Sequence, residues 1–188
     1  MKSPIRATAT PETNASYRAA ALFSVSPVKL MVMSLCTFGI YEFYWARNQW
    51  RAERLREGAS FSPFWRAIFA PFTAFRLFAR IQRVLSAHGV RTKWSSFILA
   101  TLYLVLSFAW CLPLESLSFV AALSFIPLCV VQHSVNKFNL AVAPEVPRND
   151  RYSLPEVAII VLGCVLHVLV LVFTATVSDA LSILSQSM

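Results

Sequence analysis

Two ionisable side chains lie where the sequence is otherwise apolar. Glu42 is the one acid within residues 25–46, SVSPVKLMVMSLCTFGIYEFYWA read from Ser24. A carboxylate there could couple to an ion, or pair with a headgroup or a cation. Its place at the end of the apolar run favours pairing. His167 is the eleventh of 21 uncharged residues, 157–177. An imidazole at that depth could relay protons, but an interhelical hydrogen bond is the commoner role. Glu42 and His167 are therefore the candidate intramembrane polar site.

A second chemistry is anion binding. Between Ala46 and Ser95 there are nine arginines and one lysine, against Glu53 and Glu57 alone. This one stretch carries a charge equal to the +8 of the whole chain. Arg76, Arg80 and Arg83 recur at offsets of four and seven, on one face of a helix, and Arg47, Arg51 and Arg54 precede them. These six are the candidate lipid- or partner-binding residues. A basic residue near an anionic leaflet gains about 1 kcal/mol. Large apolar residues alternate with many of the arginines, which disfavours nucleic acid as a partner.

No catalytic constellation accompanies them. There is no Gly-x-Ser-x-Gly elbow, no His-Glu-x-x-His, and four scattered glycines cannot build a phosphate loop. Cys36, Cys111, Cys129 and Cys164 are far apart and sit in apolar runs, as small buried residues do. The expectation is a non-enzymatic chain without metal or cofactor.

The elements that must position these residues follow from composition. The chain is 57% hydrophobic, has a mean hydropathy of +0.59 and is 14% charged. A soluble domain carries about 25% charged residues. An all-α integral membrane bundle is expected, with about four spans and one amphipathic interfacial helix. Residues 1–24 lack an apolar period and are expected to be a disordered tail, followed by a single membrane domain over 25–188.

The spans are expected at about 28–46, 95–113, 115–133 and 155–177, each an apolar run near the length that crosses a bilayer. Ser26-Pro27 suits a helix start, and Gly58 is the first residue expected to end it. Tyr41, Tyr44, Trp45 and Trp50, with Phe64 and Trp65, are the expected interfacial anchors, since amphipathic rings prefer the headgroup level. Residues 62–86 place Phe64, Ile68, Phe75 and Phe78 on one face and arginines on another, which predicts the interfacial helix, kinked at Pro71. Ser153-Leu154-Pro155-Glu156 reads as a capping box before the last span. Glu115 would mark the tip of a hairpin.

The stretch FGIYEFYWARNQW, followed by SPFWRAIFAPF, resembles a family of small bacterial inner-membrane proteins of unknown function. Its recurring Gly-Ile-Tyr-x-x-Tyr-Trp core corresponds here to Gly39, Ile40, Tyr41, Tyr44 and Trp45. The resemblance covers about residues 25–78 and implies a location without an activity.

The positive-inside rule then puts the central basic loop in the cytoplasm of a multi-pass inner-membrane protein. Four spans would send the N-terminal side outward, against its own basic residues Lys2, Arg6, Arg18 and Lys29; a re-entrant first helix, or one whose short apolar part does not cross fully, would remove the conflict. Expected partners are anionic lipid headgroups, a membrane protein or a second copy. The alternative is a small oligomeric transporter or channel subunit using His167 and Glu42.

Overall fold

The structure is a computed structural model and describes residues 21–111, 120–144 and 147–186. Among the described residues the fold is all-α. The helices are α1 Pro27–Cys36, α2 Ile40–Glu57, α3 Pro63–Ile68, α4 Ala70–Ala87, α5 Ser96–Phe108, α6 Phe125–Val142 and α7 Leu154–Gln186. The hairpin tip expected at Glu115 and most of the expected tail lie outside the described residues.

The first expected span is two helices, and a sequence-specific turn separates them. Gly39 N–H donates to the Ser34 carbonyl and Phe38 N–H to that of Leu35, the paired bonds of a Schellman motif. Phe38 takes the left-handed position at φ 50°, and Gly39 follows at φ 85°. A bulky residue there costs about 1–2 kcal/mol. Thr37 joins the two ends. Its hydroxyl donates to the Met33 carbonyl (2.7 Å) and accepts from the Tyr41 N–H (2.9 Å). Gly58 does end α2, at φ 61°.

α1 and α2 form a hairpin rather than one rod. α1 descends beside α7, while α2 returns beside α6. The register is fixed by Lys29 against Glu156 and Phe38 against His167 on one side. On the other, Glu42 meets Ser124, and Trp45 meets Gln132. The described N-terminal segment therefore ends up at the same end as the α6–α7 connection. Val25 bridges Asn149, whose N–H donates to the Ser24 carbonyl.

The core lies where α2 faces α4, α5 and α6. Trp45, Trp50, Phe78, Ile81, Leu85, Val131, Val135 and Phe138 are essentially inaccessible to solvent there. Tyr41, Trp45 and Trp50 are thus core residues and cannot anchor the chain at an interface. Only Tyr44, Phe64 and Trp65 of the expected anchors are exposed.

The expected interfacial helix is likewise corrected. It breaks at Phe69 into α3 and α4, two residues before Pro71, whose missing N–H suits the first turn of α4. The apolar stripe of α4, Ala74, Leu77, Phe78, Ile81 and Leu85, packs on protein. Of the residues expected to face lipid, Phe64 and Ile68 are exposed while Phe78 is fully buried. Ala21 and Leu22 are also buried, so residues 21–24, expected in the tail, pack on the core.

α7 differs from the rest. Its segment Leu154–Ala180, 27 residues, is the one described helix long and apolar enough to cross a membrane. At 1.5 Å per residue it spans about 40 Å, beyond the roughly 30 Å hydrocarbon core. Leu162, Val165, Leu169, Leu171 and Phe173 are each half or more exposed. Exposing that much apolar surface to water would cost on the order of 5 kcal/mol for these five side chains alone. By comparison α1 has 10 residues and α5 has 13.

Candidate functional site

α2 presents Arg47, Arg51 and Arg54 beside Ser62 and Phe64 at the start of α3, around an open cavity of about 400 Å³. Among the described residues no acid lies within ion-pair distance of these three. Three guanidinium groups sharing one cavity repel each other and favour any anion that enters, and a planar fork suits phosphate oxygens.

A second cationic cluster stands on aromatic rings. Arg66 lies 3.7 Å from the Phe61 centroid and 4.5 Å from that of Trp50. Arg80 covers the same two rings at 6.0 and 5.8 Å and pairs with Glu57. Burial, then the like charges of Arg80 and Arg76, holds Arg66 below the ordinary arginine range. Arg76 and Arg83 are exposed. The six arginines named from the sequence thus form two groups, one on α2 and one on α4.

Glu42 and His167 do not form one site. Glu42 is buried and accepts from the Ser124 hydroxyl (2.7 Å) and from the Tyr103 hydroxyl. His167 bonds the Gly163 carbonyl (2.7 Å) and stacks on Phe38 at 4.0 Å between centroids. One carboxylate is satisfied between α5 and α6, and the imidazole locks the α1–α2 turn to α7. Neither is left facing the other.

Sequence reasoning passed over two polar clusters. On α6, Gln132, Asn136 and Asn139 line one face and hold residues 22–25 in extended form. Asn139 clasps both backbone groups of Leu22, accepting from its N–H (3.0 Å) and donating to its carbonyl (2.8 Å). Asn136 donates to the Val25 carbonyl (2.8 Å) and accepts from Ser24 (3.0 Å). Gln132 accepts from Trp45 (2.7 Å) and Gln49 (3.1 Å). Offsets of four and seven were the visible signal, but the partner segment was not.

The other cluster surrounds Lys29, which is buried with its ammonium donating to Asn149, the Arg151 carbonyl and Glu156 at 2.7–2.9 Å. Glu156 also receives the Ser153 N–H (2.8 Å), the reach-back half of the expected capping box. The cysteines depart from expectation too: Cys111 and Cys164 are exposed, Cys36 and Cys129 half-buried. Among the described residues no three His, Cys, Asp or Glu side chains converge on a metal position.

No family model, curated protein or solved structure is similar enough to match this chain. The functional reading therefore rests on the geometry.

Proposed function

We propose that this chain is a non-enzymatic accessory protein of a bacterial inner membrane, with one crossing helix and two re-entrant segments, that holds anionic lipid headgroups on its cytoplasmic face. The observation that carries the reading is the unpaired triplet Arg47, Arg51 and Arg54 around a cavity large enough for a phosphate headgroup. Phe64 lines it and Trp65 packs on Phe64, and both are exposed, supplying apolar surface for an acyl chain.

The topology is a modified form of the four-span expectation. α7 crosses the bilayer, while α1 and α2 enter and return as a re-entrant hairpin. α5 and the first half of α6 belong to a second such excursion. Backbone at depth must have its polar groups paired, and the turn at Phe38–Gly39 pairs them internally: Gly39 N–H donates to the Ser34 carbonyl, Ile40 N–H to that of Thr37, and the Gly39 carbonyl accepts from Glu42 N–H. This arrangement brings the N-terminal segment to the same side as Arg54, Arg91 and Arg148, which removes the conflict with its basic residues.

The test is lipid-dependent stability of the full chain in zwitterionic micelles. Added phosphatidylglycerol should raise the melting temperature of the wild type. Arg47→Gln, Arg51→Gln and Arg54→Gln together should weaken that response about 100-fold in lipid concentration, from about 1 kcal/mol per charge. An unchanged response removes the role. Stabilisation by an acidic protein, but not by phosphatidylglycerol, would move the surface to a protein partner.

A further inference from the structure

We infer that a second, separate groove takes one acyl chain of an anionic phospholipid, with the phosphate held by Arg91, Lys93 and Lys137. The groove lies between α1, α6 and the 88–95 connection and encloses about 590 Å³. Its lining is sorted along its length. Phe125 to Lys137 on α6 is thirteen residues, a rise of about 18 Å. At the Phe125 end the walls are Met31, Ile126 and Val130, and at the Lys137 end they are polar and cationic.

Arg91, Lys93 and Lys137 are exposed, and no acidic side chain lines the groove. Among the described residues none of the three has an ion-pair partner. His133 and Ser134 stand between the cationic mouth and the apolar floor. Trp94 is pinned at that boundary by donating its indole N–H to Ser134 at 2.9 Å.

A channel with cations at one end and hydrocarbon at the other is complementary to an amphiphile with one anionic head and an extended tail. The direction agrees with the fold. Lys137 lies toward the end where Val25 meets Asn149, the end proposed to face the cytoplasm, and Ile126 lies toward the depth where Glu42 meets Ser124. The inference depends on α7 being a membrane span, but involves none of the arginines of the α2 site.

The experiment uses the full chain in phosphatidylcholine vesicles containing a trace of phosphatidylglycerol with a diazirine on one acyl chain. A matching phosphatidylcholine probe is the control. After photolysis, adducts are mapped by mass spectrometry. The glycerol lipid should label residues 125–137 at least about fivefold above the choline lipid. Arg91→Gln, Lys93→Gln and Lys137→Gln together should bring labelling to the choline level while the protein still floats with vesicles. Val130→Trp should block it by filling the floor.

Equal labelling by both lipids, or labelling spread evenly over α7, would overturn the inference while leaving the membrane reading standing. Protein–protein adducts from a photoreactive residue at Val130 would overturn it in favour of a second copy. A wild-type chain that fails to float with vesicles overturns both readings at once.

Discussion

Asn139 illustrates how single residues hold this fold. It satisfies both backbone groups of Leu22 in place of a neighbouring strand. Asn139→Leu keeps the volume but strands two buried groups, each costing about 1–3 kcal/mol. Thermal unfolding in detergent should register a loss of roughly 2–5 kcal/mol, and residues 21–25 should become protease-sensitive. A variant as stable as the wild type would contradict the clasp.

Glu53 behaves differently. It is buried, with Arg56 at 3.6 Å. Burial raises its pKa above the ordinary 4.5, and Arg56 offsets only part of that. A carboxyl whose folded pKa is raised contributes stability below the ordinary value and loses it as pH rises through the folded one. The stability of Glu53→Gln relative to the wild type should therefore increase as pH rises from the ordinary carboxyl value of 4.5. A difference independent of pH would count against this account. Neither residue was legible in the sequence as more than a polar position, because nothing in a single chain names what will face it.

Among the elements, α7 and the end of α2 were the most legible. An uncharged run and a glycine after the last helical residue are local signals. The break between α1 and α2 was hidden because phenylalanine, rather than glycine, occupies the first left-handed position. Stacking on His167 accompanies that strain. The tryptophans misled for a related reason: Tyr and Trp near a basic run read as interfacial, but Trp45 and Trp50 face inward toward α4 and α6.

Contact between α1 and α7 depends on Gly163. A Cβ built there would lie 2.0 Å from the Cys36 carbonyl oxygen, and backbone cannot yield easily. Gly163→Ala should separate the two helices and lower stability by about 1–3 kcal/mol. Oxidative crosslinking between Cys36 and Cys164, which are neighbours in the fold, should fall with it. Unchanged crosslinking would show that the helices do not pack through that glycine.

For the whole molecule, the hairpin of α1 and α2 decides how charge is distributed between the two ends of the fold. A straight first span would put the N-terminal segment opposite the arginine-rich connections. The return at Phe38–Gly39 instead gathers residues 21–26, the 88–95 connection and residues 147–152 at one end. Composition could announce long apolar runs, but which segments share an end of the fold depended on one three-residue turn and on Asn149 meeting Ser24.

The most direct measurement is cysteine labelling in a cysteine-free background, using an impermeant maleimide on sealed and opened cells. Single cysteines replace Ser24, Gly89, Arg148 and Ile183. The account predicts that Ser24→Cys, Gly89→Cys and Arg148→Cys react only once the cytoplasmic side is opened, while Ile183→Cys reacts from outside. Ser24→Cys reacting on the opposite side from Gly89→Cys, or Ile183→Cys on the same side as Arg148→Cys, would contradict it.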